Sequence, residues 1–265
     1  MDIKAILIAV GVIAVIGVII GVVLGIAEKV FHVKVNEKET TVREVLPGSN
    51  CGGCGYAGCD AMAAAIANGE APVNGCPVGG NDVAQKIAEI MGQEVQETER
   101  KVAYVKCDGN GEKRAVDYNY IGIESCIAAD LLPGSSPYSC KYGCLGFGSC
   151  ARVCPQRAIR IIDKKAVVDE ELCIACGRCI KTSPHKLIEL VPAKSKYRVQ
   201  CSSHVFGKDV RDACTAGCIS CKICEKNCPN DAIHVKDNIA KIDYEKCTHC
   251  GICAAKCPRK IIKEY

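Results

Sequence analysis

The chain has 265 residues, of which 23 are cysteine, and it contains no Trp and only 3 Phe. With 34 Lys and Arg against 30 Asp and Glu, the formal net charge of +4 gives no electrostatic case for a nucleic-acid partner. Cysteine at this density indicates a disulfide scaffold or a metal protein. The length, and the recurrence of C-x-x-C-x-x-C followed by Cys-Pro, a ligand pattern for iron–sulfur clusters, exclude a secreted disulfide protein.

An uninterrupted apolar run occupies residues 5–27, between Lys4 and Glu28. As a helix, the run would be about 34 Å long, enough to cross a hydrocarbon core of about 30 Å. A cleaved signal peptide is the alternative, but the run is longer than the apolar region of a signal peptide and lacks a small-x-small cleavage site. We therefore predict a single transmembrane anchor over residues 1–28.

The flanking charges predict the orientation of this anchor. Only Lys4 precedes the run, whereas four basic residues follow it: Lys29, Lys34, Lys38 and Arg43. The positive-inside bias then leaves the long C-terminal part in the cytoplasm, a reducing compartment that suits thiolate ligands. Gly17, Gly21 and Gly25 share one face of the predicted helix. These small residues either allow another transmembrane helix to approach closely or simply reflect how common glycine is in membrane spans.

The first set of cysteines has the spacing C-x2-C-x4-C-x16-C and consists of Cys51, Cys54, Cys59 and Cys76. Glycines between the cysteines allow the backbone to wrap closely around a bound group, and the Ala-rich residues 60–68 predict a helix. Tetrahedral zinc is the alternative occupant. The spacing resembles the [4Fe-4S] domain of the B subunit of the Rnf complex and of a corrinoid iron–sulfur protein. This resemblance implies that the four cysteines bind one cluster.

An internal duplication follows. Seven cysteines recur 74 positions later: Cys140, Cys144, Cys150, Cys154, Cys173, Cys176 and Cys179 correspond to Cys214, Cys218, Cys224, Cys228, Cys247, Cys250 and Cys253. Each repeat resembles a two-cluster bacterial ferredoxin, a βαββαβ unit in which three cysteines of one motif share a cluster with the Cys-Pro cysteine of the other. In the second repeat this implies two complete ligand sets, namely Cys218, Cys221, Cys224 with Cys257, and Cys228 with Cys247, Cys250, Cys253. Residues 233–235 and 239–242 predict a hairpin that turns at Asp237 and Asn238.

The first repeat departs from this pattern at one of its two sites. One set is complete, with Cys154, Cys173, Cys176 and Cys179, but the other has Phe147 and Ser183 where cysteines are expected. The resemblance to clostridial-type B subunits, which share the stretch from Cys140 to Cys150, supports Cys140 as the replacement for position 147. We predict a [4Fe-4S] site formed by Cys140, Cys144, Cys150 and Ser183. The alternatives are Cys126 or Cys201 in place of Ser183, a three-iron cluster, or an empty site.

The remaining cysteines, Cys107, Cys126, Cys201 and Cys214, are interpreted as buried free thiols, and no grouping of side chains indicates a catalytic residue. The predicted class is α+β, with an anchor (1–28), a linker and four-cysteine domain (29–98), a connecting segment (99–138), a first ferredoxin-like module (139–192), and a connector with a second module (193–265).

Nearly the whole chain thus resembles the B subunit of the Rnf complex, an ion-translocating ferredoxin:NAD+ oxidoreductase. The resemblance implies an electron-carrying subunit of that enzyme with about five [4Fe-4S] clusters, which takes electrons from soluble ferredoxin and passes them to subunits A, C, D, E and G at the cell membrane. The alternatives are a polyferredoxin subunit of a membrane hydrogenase or formate dehydrogenase, and a zinc-binding structural or regulatory membrane protein.

Overall fold

The computed structural model describes residues 3–30, 36–95 and 99–265. Its first helix, α1, comprises Ile3–Val30 and contains the apolar run. Within the described ranges, no helix meets the length and hydropathy that a membrane crossing requires. The transmembrane anchor stays a prediction. Its residues 1 and 2 lie outside the described residues, as does Lys34, one of the basic residues on which the predicted orientation depends.

Three helices form a small domain around the first cysteine set: α2 (Glu37–Val45), α3 (Cys59–Ala67) and α4 (Gly80–Met91). Helix α2 begins where the side-chain oxygen of Asn36 accepts the backbone N–H of Lys38 at 3.1 Å, which satisfies one of the free donors of the first turn. The helix predicted over residues 60–68 is confirmed by α3. Apolar side chains from all three helices make the core of this domain, among them Val42, Met62, Ile66 and Ile87.

The first repeat consists of β1 (Lys101–Val105), α5 (Cys126–Asp130), α6 (Ser149–Arg152), β2 (Ile159–Ile162), β3 (Lys165–Val168), α7 (Arg178–Thr182) and β4 (Ile188–Pro192). Strands β2 and β3 form an antiparallel hairpin. Strand β1 lies in the segment predicted as a connector, yet it pairs antiparallel with β4, the last strand of the repeat. The connecting segment therefore contributes a strand to the first module.

The second repeat consists of β5 (Tyr197–Val199), α8 (Lys208–Ala213), α9 (Ile223–Lys226), β6 (Ile233–Lys236), β7 (Ile239–Ile242), α10 (Ile252–Lys256) and β8 (Ile262–Glu264). Strands β6 and β7 pair antiparallel, and the two residues between them, Asp237 and Asn238, have positive φ angles of 51° and 62°. Two consecutive positive φ angles are typical of the tight turn that suits a twisted hairpin. The hairpin predicted here is confirmed.

The pairing registers show that β1 and β5 are equivalent strands. Val105 of β1 pairs with Ile188, Val199 of β5 pairs with Ile262, and these two partners are 74 positions apart. Because Val105 and Val199 are 94 positions apart, the first repeat holds 20 more residues after its first strand than the second repeat does. Helix α5 lies in this longer segment.

A buried ion pair joins the two repeats. The guanidinium of Arg198, on β5, is 1% exposed and forms two hydrogen bonds with the carboxylate of Glu170, which follows β3 in the first repeat. The same guanidinium lies 4.6 Å from the ring centre of Tyr265 and 5.4 Å from that of Tyr104. A charge that is this deeply buried requires such a partner, and the pair links the second repeat to the first.

Candidate iron–sulfur sites

The first cysteine set lies on the loop before α3 and on the segment that returns before α4. Gly52 and Gly55 have φ angles of +68° and +91°, which the loop needs in order to turn between its cysteines. The backbone N–H of Cys59 donates to the side-chain oxygen of Asn50 at 2.8 Å, which fixes the end of the loop. Three of the cysteines pack against the core of this domain, namely Cys54, Cys59 and Cys76, and Cys51 begins the loop. Burial raises the pKa of the Cys76 thiol, and the neighbouring thiols of Cys54 and Cys59 raise it further.

In the first repeat, the thiol of Cys179 lies close to those of Cys154, Cys173 and Cys176. Burial raises the pKa of the Cys179 thiol to about 11, and the nearby thiols of Cys173, Cys176 and Cys154 add to the shift. Backbone N–H groups point at two of these sulfurs: Ala158 donates to Cys154 at 3.3 Å, and Ala103 of β1 donates to Cys173 at 3.3 Å. Donors that face a sulfur are what an anionic iron–sulfur site requires of its surroundings.

In the second repeat, each predicted ligand set lines a cavity of its own. The first is lined by Cys218, Cys221, Cys224 and Cys257. The second is lined by Cys228, Cys247, Cys250 and Cys253. The N–H of Ala232 donates to the sulfur of Cys228 at 3.3 Å, which repeats the bond from Ala158 to Cys154 at the equivalent position. Each cavity thus gathers the four cysteines of one set, and their role as cluster ligands stays a prediction.

The irregular site of the first repeat differs from the prediction in its composition. One cavity is lined by Cys144, Cys150 and Ser183 together with Cys126, which lies at the start of α5. Burial raises the pKa of the Cys150 thiol to about 12, and the thiols of Cys144 and Cys126 raise it further. The hydroxyl of Ser183 accepts the N–H of Leu187 at 3.2 Å. The structure thus brings Cys126 to the place for which Cys140 was predicted.

Phe147 and Cys140 both lie away from this cavity. The ring of Phe147 packs 4.9 Å from the ring of Tyr120, which comes from the longer segment of the first repeat. Cys140 lines another cavity, beside Cys107, Cys201 and Cys214. The sequence suggested Cys126 only as an alternative to Ser183, and not beside it, because Cys126 lies in the segment that has no counterpart in the second repeat.

Among residues 3–30, 36–95 and 99–265, no three His, Cys, Asp or Glu side chains converge as a single metal ion requires. A [4Fe-4S] cluster is a larger group, and its four thiolates bind different irons. Four of the sets described above offer four thiols each, and the irregular set offers three thiols and a hydroxyl. In the two sets that contain Cys154 and Cys228, backbone N–H groups also face the sulfurs, as such a group requires.

The immediate neighbour of the first cysteine set is the regular set of the first repeat. A Cβ atom added to Gly53 would lie 3.0 Å from the carbonyl oxygen of Cys176 and 3.1 Å from its Cα. A side chain at position 53 would be crowded against the backbone of Cys176, so the glycine lets the main chains of the two sites approach closely here.

Family models match three parts of the chain. Residues 46–78 match a model described as an Fe-S cluster, residues 137–194 an LdpA Fe-S cluster-binding domain, and residues 217–261 a 4Fe-4S dicluster domain. These descriptions favour iron–sulfur clusters over zinc. The fold and the sites define a ferredoxin-type iron–sulfur protein with several cysteine-lined sites in one chain of α and β elements.

Curated relatives extend over nearly the whole chain. The chain is 45% identical to the B subunit of an ion-translocating oxidoreductase complex of Methanosarcina acetivorans, over 96% of this chain and 97% of that protein. It is 45% identical to the B subunit of the Na+-translocating ferredoxin:NAD+ oxidoreductase complex of Acetobacterium woodii (98% of this chain, 78% of that protein). It is also 40% identical to the B subunit of the proton-translocating ferredoxin:NAD+ oxidoreductase complex of Clostridium ljungdahlii (95% and 90%).

The chain belongs to the family of B subunits of ion-translocating ferredoxin:NAD+ oxidoreductases, the Rnf complexes. This confirms the resemblance inferred from the cysteine motifs. It also confirms the predicted role as an iron–sulfur electron-transfer subunit of an oxidoreductase.

Proposed function

We propose that this subunit accepts electrons from reduced ferredoxin and relays them, through a series of iron–sulfur sites, to the membrane subunits of an ion-translocating ferredoxin:NAD+ oxidoreductase. The observation that carries the proposal is the contiguity of the cysteine sets in a chain whose relatives are named for this reaction. The first set adjoins the regular set of the first repeat at Gly53 and Cys176, and Cys179 of that set is a neighbour of Cys150 in the irregular set.

Five ligand sets are proposed, each for one cluster: Cys51, Cys54, Cys59, Cys76; Cys154, Cys173, Cys176, Cys179; Cys126, Cys144, Cys150, Ser183; Cys218, Cys221, Cys224, Cys257; and Cys228, Cys247, Cys250, Cys253. When bound, iron–sulfur clusters supply one-electron redox chemistry whose potential depends on burial, charge and hydrogen bonds to sulfur. The chain itself contributes position and environment: it excludes water from the sulfurs of Cys144, Cys150 and Cys224, which are buried, and it directs N–H groups at Cys154, Cys173 and Cys228.

Helix α1 is proposed as the membrane anchor, with the ferredoxin-like modules on the cytoplasmic side. The support is the uncharged run of residues 5–27 and the excess of basic residues after it. Large apolar side chains of α1 are more than half exposed, including Val18 at 66% and Leu24 at 63%, and such a surface requires a lipid or protein environment. The proposed partners are subunits A, C, D, E and G of the complex.

The donor can be tested directly with the anaerobically purified holoprotein. Reduced ferredoxin should bleach the visible absorption of the clusters and produce the EPR signals that dithionite produces. If dithionite reduces the clusters and reduced ferredoxin does not, ferredoxin is not the donor.

The ligand sets can be tested with Cys221→Ala. Cys221 is an exposed member of its set, so the substitution removes one ligand without opening a core. We expect the loss of one low-potential EPR signal and of about four irons per chain. Lys226→Ala, an exposed change on the neighbouring helix α9, is the matched control and should keep both. An unchanged spectrum for Cys221→Ala would contradict the proposed pairing with Cys257.

A further inference from the structure

Four cysteines that belong to none of the five sets line one common cavity: Cys107, Cys140, Cys201 and Cys214. We infer that they bind an additional [4Fe-4S] cluster, which lies between the two repeats. Three of them lie outside the regions matched by family models, and all four are free in the structure. With this site, every one of the 23 cysteines belongs to a cluster site.

The two repeats contribute equivalent pairs of cysteines to the cavity. Cys140 and Cys214 are 74 positions apart and correspond directly. Cys107 and Cys201 each lie two residues after the equivalent residues Val105 and Val199, so they correspond as well. The cavity therefore sits where the two halves of the duplication face each other, and each half supplies two thiols.

The surroundings of the sulfurs match those of the regular sites. The N–H of Cys144 donates to the sulfur of Cys107 at 3.4 Å, and the N–H of Cys218 donates to the sulfur of Cys201 at 3.3 Å. Cys144 and Cys218 are themselves equivalent, so the same bond is made twice. Both bonds resemble those that the regular sites receive from Ala158 and Ala232. Such bonds are suited to thiolates that carry a cluster.

The charges around the cavity also favour an anionic occupant. Arg114 lines the cavity, is 4% exposed, and is held by the carbonyl oxygens of Asn110, Cys144 and Lys164. A second guanidinium, that of Arg259, donates to the carbonyl oxygen of Cys214 at 2.9 Å. Arg259 lines the adjoining cavity of the second repeat. Because the partners of both guanidinium groups are neutral, their charges are free to stabilise the negative charge of a thiolate-bound cluster. Two carboxylates also line the cavity, those of Asp108 and Asp209, and Asp108 is paired with three lysines, namely Lys113, Lys165 and Lys263.

The cavity has room for such a group. Its volume is about 120 Å³, against about 20 Å³ for each of the two cysteine-lined cavities of the second repeat. The cavity also lies next to two other sites, because the two N–H donors belong to proposed ligands of those sites: Cys144 of the irregular site and Cys218 of the second repeat. The site thus bridges the sites of one module to those of the other.

The test measures iron and acid-labile sulfide per chain in the full-length holoprotein. Cys140→Ala removes a ligand from the first repeat and Cys201→Ala removes one from the second. We expect each variant to contain about four irons and four sulfides fewer than the parent. Lys208→Ala is the control, since Lys208 lies on helix α8 before Cys214, is exposed and does not line the cavity; it should keep the parental content.

Three results would overturn the inference: parental iron in both cysteine variants, an equal loss in Lys208→Ala, or the loss of zinc in place of iron. If the variants do not fold, native mass spectrometry of the parent holoprotein decides, because six clusters support the site and five or fewer reject it. Iron content is independent of the donor, so failure here is distinguishable from failure of reduction by ferredoxin.

Discussion

Replacing Glu170 with Gln would leave the guanidinium of Arg198 without a carboxylate partner at the contact between the two repeats. The side chain of Arg198 is 1% exposed, and its Nη2 lies 3.0 Å from Oε2 of Glu170. Attraction between unit charges at this separation is about 5 kcal/mol for an effective dielectric constant of about 20. Removal of one partner from a buried pair typically costs about 3–5 kcal/mol.

Two features of the structure reduce this figure. Glu170 is 30% exposed, so water screens part of the attraction. The amide oxygen of Gln can still accept one hydrogen bond, and the rings of Tyr104 and Tyr265 remain beside the charge. We therefore expect a loss of about 2 kcal/mol, which corresponds to roughly a 30-fold change in an equilibrium or rate constant.

The assay is the rate of cluster loss from the anaerobic holoprotein in guanidinium chloride, followed by the visible absorption. Cluster proteins unfold irreversibly once the metal is lost, so the rate is the appropriate measure of stability. Glu171→Gln makes the same chemical change at the adjacent, exposed residue and serves as the control. A parental rate for Glu170→Gln, or an equal acceleration in the control, would refute the role assigned to the ion pair.

Two further substitutions probe individual sites. Gly53→Ala would place a methyl group 3.0 Å from the carbonyl oxygen of Cys176, so we expect the two backbones to separate by a few tenths of an ångström. The magnetic interaction between the two adjoining clusters should then weaken in the EPR spectrum. A spectrum identical to that of the parent would argue against this contact. Ser183→Cys would complete a four-cysteine set with Cys126, Cys144 and Cys150, so we expect the iron content to be kept. Oxidation that removes one iron from this cluster would give a three-iron EPR signal, and we expect this signal to be weaker than in the parent. A drop in iron content would show that Ser183 does not face the cluster.

The elements that depend on local sequence were predictable. Helix α3 follows from an Ala-rich segment, and the β6–β7 hairpin follows from two short apolar runs around Asp237 and Asn238. The pairing of β1 with β4 was not predictable in this way, because Val105 and Ile188 are far apart in the sequence and no spacing rule connects them. As a result, β1 was interpreted as part of a connector.

The same distinction holds for the sites. The regular ligand sets follow short motifs, so the resemblance to two-cluster ferredoxins implied partners for Cys221 and Cys250. Cys126 has no counterpart 74 residues later, and the extra 20 residues of the first repeat break the register that would have related Cys107 to Cys201. One signal was available: once the standard sets were filled, the number of cysteines left over was too large for incidental thiols.

The equivalence of the two pairs, Cys107 with Cys140 and Cys201 with Cys214, has a consequence for ancestry and assembly. A protein with a single repeat would carry half of the inter-repeat cavity, and two such copies related by a twofold axis could complete it. Fusion of the halves into one polypeptide makes that association independent of protein concentration. It also frees each half to diverge, as the segment around Cys126 and the serine at position 183 illustrate.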